Sequence, residues 1–347
     1  MKKLPLFLFA FILSNSCFAQ NAESDSLLNL LKTAKEDTNK VHVLNDLSKQ
    51  AGWRVGNYDT AFYYAETAKL LAEKLNFKRG MAKSHSNIGV IYWYQGNFPE
   101  ALKNYSASLK IYEENGDKLG VASSYNNIGL IYGGQGNNSE ALQNYFVALK
   151  IRKEIKDDNG IADCYNSIGL SYSNQGNYPE ALKSHLASLK IKEALKDKQG
   201  IAISYNNMGN IYKTQGNYPE ALKNHLASLK IRQEIEDKRG IAISSSNIGN
   251  VYSEQGNYPE ALKNYLACLK ISEELNLKKG IAISYNNIGD NYTVQGNYPE
   301  ALKNYFASLK IFEEIGDKAM VAAAFISLGS LHTKVQRFKE AVTIQPK

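Results

Sequence analysis

Apolar and polar positions along this chain recur with a period of forty residues. The pattern is clearest from Ile201 to Gly240, where IAISYNNMGNIYKTQGNYPEALKNHLASLKIRQEIEDKRG is repeated almost unchanged on either side. Register points at Val41, Met81, Val121, Ile161, Ile201, Ile241 and Ile281 define seven full copies, the first degenerate, and a truncated eighth opens at Val321. A period of this length is the mark of a solenoid, in which one supersecondary unit stacks on the next. Within the copy, Ile201, Tyr205, Met208 and Tyr212 share one stripe at the spacing a 3.6-residue turn requires, which predicts helix A. Gln215-Gly216-Asn217 interrupts it. Asn217 is placed to cap a second helix, with Glu220 three residues on to complete a capping box and Pro219 tolerated in the first turn. Helix B then carries Tyr218, Leu222, His225 and Leu229 and continues through Ile231 and Ile235. Asp237 is placed to cap the next helix A, and Gly116 and Gly316 offer left-handed C-caps in their copies.

Small residues sit where two helices must approach closely: Gly209 on helix A, Ala221 and Ser228 on helix B, with Tyr212 and Tyr218 filling the remaining space. This arrangement resembles the tetratricopeptide repeat, whose pattern matches Tyr205, Met208, Gly209, Tyr212, Gly216, Tyr218, Ala221 and Leu229. Ser228 departs from it, as does the absence of a proline after helix B, which is longer by about a turn and a half. The forty-residue length with a terminal Asp-Lys-x-Gly is similar to the repeats of kinesin light chains and Pins-type scaffolds. The resemblance covers roughly Asp25 to Ala341. It implies an all-α, right-handed superhelical solenoid of antiparallel helix pairs, one elongated domain spanning 41-347, with the helix A faces lining a concave groove.

The two ends differ from the middle. Met1 to Ala19 has a Lys-Lys start, an apolar run from Leu4 to Leu13, and Cys17 and Ala19 before Gln20, which reads as a secretory signal peptide over 1-19. Export to the periplasm or the exterior follows, with lipid anchoring through Cys17 the lesser alternative because Ser14-Asn15-Ser16 lacks the usual leucine. Leu27, Leu28, Leu30 and Leu31 predict a capping helix within 20-40 that covers the first repeat, since terminal repeats need a cap. In the eighth copy helix A is complete through Leu328, Gly329 and His332, and a short helix B is expected from Phe338. Either this stub leaves apolar surface uncovered, with self-association through that end, or the chain is the sensory part of a longer signalling protein.

Composition narrows the function. The chain has 347 residues and a formal net charge of +7, to which Lys2 and Lys3 of the leader contribute two. So dilute a charge on so long a surface does not argue for nucleic acid. Lys223 and Lys230, set against Glu220 and Glu234, read as a solvated outer face, and no stretch after the leader is apolar for long enough to insert stably in a membrane. The histidines substitute ring for ring: His85 stands in the slot of Tyr125, Tyr165 and Tyr205, His185 and His225 in that of Tyr105, Tyr145 and Tyr265, and His332 in that of Tyr212. His42, in the degenerate copy, has no partner nearby in sequence. Cys164 and Cys268 replace recurring serines in copies too far apart for a disulfide. No zinc spacing, phosphate loop or nucleophile elbow is present. The sequence therefore predicts a non-enzymatic scaffold without cofactor or metal.

Function is expected on the face of helix A opposite the packed stripe, where Ile203, Asn207, Asn210 and Thr214 fall, flanked by Asn206 and Lys213. Slots there vary from copy to copy, from Trp93 and Tyr94 through Lys213 and Thr214 to Thr293 and Val294, whereas packed slots barely change. Both a recognition surface and a drifting solvent face would look this way. Two rows instead persist: Asn87, Asn127, Asn207, Asn247 and Asn287, and beside them Asn126, Asn166, Asn206 and Asn286. A carboxamide both donates and accepts, so these rows can hold the backbone of an extended peptide or protein partner, with their groove neighbours, among them Asn210, Asn250, Lys213 and Asp290, supplying side-chain selectivity. Alternatively they bond to the adjacent helix and hold the stack. A structural spacer or self-assembly unit is the third functional reading. If the leader is cleaved, mass analysis of protein isolated from its host should find the mature chain starting near Gln20, outside the cytoplasm; an intact Met1 would contradict this.

Overall fold

The computed structural model describes residues 22–52 and 57–344. The leader over 1-19, with Cys17, lies outside them. Sixteen helices fill the described residues: α1 (Ala22–Thr33), α2 (Thr38–Gln50), α3 (Tyr58–Lys74), α4 (Lys78–Tyr94), α5 (Phe98–Glu114), α6 (Lys118–Gly134), α7 (Asn138–Glu154), α8 (Asp158–Asn174), α9 (Tyr178–Ala194), α10 (Lys198–Thr214), α11 (Tyr218–Glu234), α12 (Lys238–Glu254), α13 (Tyr258–Glu274), α14 (Lys278–Val294), α15 (Tyr298–Glu314) and α16 (Lys318–Ile344). Contacts group them into two units, one through Ile131 and one from Tyr132 onward. Within each unit consecutive helices pack as hairpins, which is the all-α arrangement expected of the repeat.

The turn between helices A and B is made by backbone hydrogen bonds, and a side chain then caps the helix that follows. In the fifth hairpin Gly216 adopts φ +74°, in the left-handed region. The Asn217 N–H donates to Tyr212 O at 2.9 Å and the Gly216 N–H to Lys213 O at 2.9 Å, the paired bonds of a Schellman motif. Asn217 Oδ1 then accepts from the Glu220 N–H at 3.4 Å. The reciprocal half of the expected capping box is missing. The Asn217 N–H is already spent on Tyr212, and the Glu220 carboxylate turns outward to Lys223 at 3.2 Å. The B-to-A turn repeats the motif, with Asp237 Oδ1 accepting from the Gly240 N–H at 2.9 Å. Here the left-handed position is Lys156, Lys196 or Glu236 in some copies and Gly116 or Gly316 in others.

The core is narrower than the predicted stripes. In α10 the buried side chains are Ala202, Ser204, Asn206, Met208 and Ile211, while Ile201, Tyr205 and Tyr212 are half-buried. In α11 they are Ala221, Asn224, His225, Ser228 and Arg232, with Leu222 and Leu229 at the margin. Helix A is sandwiched between helices, so its small residues go deepest and its tyrosine rings lie along the seams. The glycine slot shows this most directly: a methyl group on Gly209 would lie 2.7 Å from the His225 ring, on Gly169 2.7 Å from His185, and on Gly89, Gly249 and Gly289 2.7–2.8 Å from Tyr105, Tyr265 and Tyr305.

Buried cations were not foreseen. Lys192 and Arg232 are nearly inaccessible and lie under Gly200 and Gly240. Lys192 bridges Asp163 and Asp197, each at 3.0 Å, and Arg152 pairs with Asp157. Burial works to raise the Asp197 carboxyl, but the Gly200 N–H and Lys192 overcome it and hold the group below its ordinary range. Where an aromatic ring takes the cation's slot, at Tyr112 and Phe312, the capping aspartate finds its charge in the preceding copy instead: Asp117 from Arg79 at 3.2 Å, Asp317 from Lys279 at 2.9 Å.

Two expectations at the ends are corrected. The first helix A is not simply degenerate; its packed face is offset by one residue. Val41 occupies the deep slot of Ala82, Leu47 that of Ile88 and Ser48 that of Gly89, and Leu31 of α1 packs against the cluster of Val41, Leu44, Ala68, Leu71 and Ala72. The eighth copy does not break into two helices. Val335-Gln336-Arg337 replaces Gln-Gly-Asn, so neither a left-handed glycine nor a capping asparagine stops the first helix, and α16 runs on to Ile344.

The left-handed lysine and glutamate residues carry a steric cost that glycine avoids, of about 1–2 kcal/mol before glycine's own entropy is set against it. Lys196→Gly and Glu236→Gly should therefore each stabilise the chain by about 0.5–1 kcal/mol, read as a higher midpoint in urea; a lower midpoint would show that those side chains hold contacts worth more than the strain.

Candidate functional site

Helices A lie beside one another inside each unit, and the asparagine rows fall on the line where they touch. Asn207 Nδ2 donates to Asn166 Oδ1 at 2.8 Å, Asn247 Nδ2 to Asn206 Oδ1 at 2.8 Å, and Asn287 Nδ2 to the Ser246 hydroxyl at 3.4 Å. In the first unit Asn87 Nδ2 donates to Asn45, to its backbone O at 2.9 Å and its Oδ1 at 3.0 Å, the same rung reached through the one-residue offset of α2. These amide donors are spent between copies. Asn126 and Asn127 are half-buried in the first unit, Asn126 with a buried Oδ1 that has no partner.

Outside this line the surface opens. In the second unit a cavity of about 430 Å³ is lined by Lys213 of α10, Asn250, Ser253 and Glu254 of α12, Tyr265 of α13, and Asn287 and Asp290 of α14. Four residues singled out from sequence thus meet in one place. Tyr265 donates to Asn250 Oδ1 at 2.9 Å. Asp290 accepts from the Tyr305 hydroxyl at 2.6 Å and from Asn286 Nδ2 at 3.1 Å. Burial pushes the Asp290 carboxyl above its usual range, against the Tyr305 bond and the charge of Lys334. Asn210 stands exposed beside this line.

In the first unit the aromatic pair is arranged differently. Trp93 meets Tyr94 edge-on at 4.8 Å between ring centroids, and Tyr94 stacks on Tyr58 at 5.7 Å, leaving an exposed aromatic edge. A further cavity of about 380 Å³ in that unit is lined by His42, Asp46, Arg79, Lys83 and Tyr112, among others. It escaped the sequence reading because His42 and Asp46 sit in the offset copy, where slot-by-slot comparison misplaces them. Ser253 and Glu254 lie on α12 and Tyr265 on α13, at unrelated repeat positions, and only the fold brings them to one surface.

The histidines offer no constellation for catalysis. His185 and His225 are fully buried against their glycines, and burial alone for the first, with Lys213 and Arg232 assisting for the second, pulls both down to about 4. His185 Nδ1 lies 3.0 Å from Asn166 Oδ1. His85 is half-buried, and His332, in the eighth copy, is exposed. Cys164 and Cys268 are buried free thiols. Among the described residues no three metal-ligating side chains converge, and no helix is long and apolar enough to cross a membrane.

The tetratricopeptide repeat family model matches residues 44–114, 80–154, 160–234, 200–274 and 280–345. The chain belongs to the tetratricopeptide repeat family, whose arrays are scaffolds for protein interaction. No curated protein matches the sequence. Among solved structures, the apo form of RapI superimposes with a TM-score of 0.61 at 17% identity over 80% of this chain and 99% of that one. A Rap protein complexed with Competence and Sporulation Factor gives 0.56 at 14% over 91% and 98%. A Signal Transduction ATPase with Numerous Domains from Pyrococcus horikoshii, with a tetratricopeptide repeat sensor, gives 0.60 at 17% over 94% of this chain and 55% of its own. At these identities the likeness is one of fold.

The depressed histidines set an acid limit. Between an unfolded value near 6.5 and a folded value of about 4, the unfolded chain takes up protons that the folded one refuses. The histidine contribution is intact above pH 6.5, falls as pH drops, and is fully lost below about 4, by on the order of 3 kcal/mol per ring. Joint replacement His185→Tyr and His225→Tyr, the residue other copies use, should flatten stability between pH 6.5 and 4.5 in urea titrations. An unchanged slope would mean that the rings are already protonated in the folded chain.

Proposed function

We propose that this is an exported tetratricopeptide scaffold that binds an extended segment of a protein or peptide partner along its helix A face. One observation carries the reading: the copies keep their packing slots constant while Lys213, Asn250, Ser253, Glu254 and Asp290, in slots free to vary, converge on one open cavity. Its lining offers a cation, two carboxylates and carboxamides, groups that match a peptide backbone and its charged side chains and that perform no bond chemistry by themselves. The asparagine rungs beneath have a supporting part, fixing the spacing of neighbouring helices so that the varied residues are presented in register. The Rap protein complexed with Competence and Sporulation Factor lends a precedent of fold for an array of this kind with a bound factor. Export rests on the leader sequence.

The two layers separate by mutation. With a partner captured by cross-linking of the mature protein and then titrated as a purified species, Lys213→Ala with Glu254→Ala should weaken binding at least tenfold while changing the melting temperature little. Asn207→Ala with Asn247→Ala should instead destabilise by about 0.5–1.5 kcal/mol per lost bond and affect affinity only through that loss. Unchanged affinity in the first pair would remove the cavity from consideration as the binding site.

A further inference from the structure

Lys213, Glu254 and Asp290 come from three successive copies and line one cavity of the second unit. Across the six copies over 81–320 each is the only charged residue in its slot: no other copy places a charge where Lys213, Glu254 or Asp290 stands. Slots that drifted freely would scatter their charges along the array. Here three unrelated slots become charged only where the fold brings them together.

The three charges do not cancel. Among the described residues the side chains of Lys213 and Glu254 have neither an ion-pair nor a hydrogen-bond partner, and Asp290 is held by two neutral groups, the Tyr305 hydroxyl and Asn286. The lining therefore sets one cation against two carboxylates. Both carboxylates act on the same point: burial pushes the Tyr265 hydroxyl up to about 12, and the charges of Asp290 and Glu254 add to the rise. The neutral groups are polarised in the same sense. Asn287 spends its Nδ2 on the Ser246 hydroxyl at 3.4 Å, which leaves its Oδ1 as an acceptor, and it lies three residues from Asp290 on one face of α14. Asn250 Oδ1 is taken by Tyr265 at 2.9 Å, so that carboxamide keeps only its donor. Acceptors thus gather at α14 and at Glu254, the last residue of α12, while the donors are Lys213 and Asn250. A guanidinium, planar and furnished only with donors, is the side chain that matches such a set of acceptors. An acidic side chain would find one cation and be repelled by two carboxylates.

We propose that this cavity selects an arginine of the bound segment, its guanidinium held by Glu254, Asp290 and Asn287 Oδ1, with Lys213 donating to a backbone carbonyl of the segment. The inference rests on the reading of the helix A face as a peptide-binding surface and adds the side chain that this surface reads.

The probe is a set of immobilised heptapeptide pools whose central residue is arginine, lysine, glutamine or glutamate and whose other positions are random mixtures of uncharged residues. The full chain carries a formal net charge of +7, which by itself favours the glutamate pool. Retention should nevertheless be at least fivefold stronger on the arginine pool than on the glutamine or glutamate pools, and stronger than on the lysine pool. Glu254→Gln should narrow the preference for arginine, whereas Lys213→Gln should weaken retention on every pool without narrowing it. Neither side chain has a partner to lose, so both variants should keep the parent melting temperature, which circular dichroism checks. Arginine retained no better than glutamine or lysine, or a preference that survives Glu254→Gln, overturns the choice of arginine while peptide binding stands. No retention on any pool overturns both.

Discussion

The contact on which the rest depends is a ring lying flat against a glycine. His225 on Gly209 and Tyr265 on Gly249 fix how closely helix B approaches helix A, because neither partner can give: the glycine has no side chain to move and the ring no torsion that would free the space. Once that distance is set, the small residues above and below, Ala202, Ala221 and Ser228, follow by the same logic. Every hairpin then has nearly the same shape, and stacking equal shapes brings equivalent positions of successive helices A side by side. The asparagine rungs between them are a product of this regularity.

Regularity is also what leaves function on the remaining surface. A residue that sets the hairpin geometry can vary only within one shape, as His225 and Tyr265 do, so the chain's individuality is concentrated at positions that geometry leaves unconstrained. Lys213, Glu254 and Asp290 are of this kind, and so is the Trp93–Tyr94 pair. The two units offer different chemistry on their helix A faces, one with an aromatic edge and one with mixed charge. A ligand that reads one would have no reason to read the other.

Much of the fold was legible in the sequence because its determinants are local. Gly216 announces a left-handed turn, Asn217 a cap and Gly209 a close approach, and each recurs often enough to exclude chance. What escaped was of two sorts. Some features depend on a single-residue change of phase, as in α2, where Val41 and Ser48 play parts that a forty-residue ruler assigns to their neighbours. The others depend on three dimensions: that Arg232 goes inward while Lys230 goes outward, or that the carboxylates of Glu254 and Asp290 border one hollow. The continuity of α16 was readable in retrospect, from the absence of glycine at Gln336, but expectation of another hairpin masked it. At the candidate site, the choice of residues came from variation among copies, whereas their convergence could come only from coordinates.

The capping aspartates have a bearing on how such a chain can change over evolutionary time. Three of them, Asp157, Asp197 and Asp237, take their counter-charge from within their own forty residues, through Arg152, Lys192 and Arg232. The exposed pairs between copies, Lys198 with Glu234 and Lys238 with Glu274, join the same two positions each time. Unequal recombination that deletes or duplicates one of these middle copies therefore leaves every remaining capping aspartate beside its own cation, although losing Lys198 with its copy would set Asp158 against Glu234. Asp117 and Asp317 are different: their cations, Arg79 and Lys279, belong to the copy before. Excising 41–80 would strand the partly sheltered Asp117, because Asn39 would take the slot of Arg79, whereas excising 241–280 would bring Arg239 to the slot of Lys279. The capping charges of the middle copies thus travel with each copy, whereas the junction before Asp117 resists being cut.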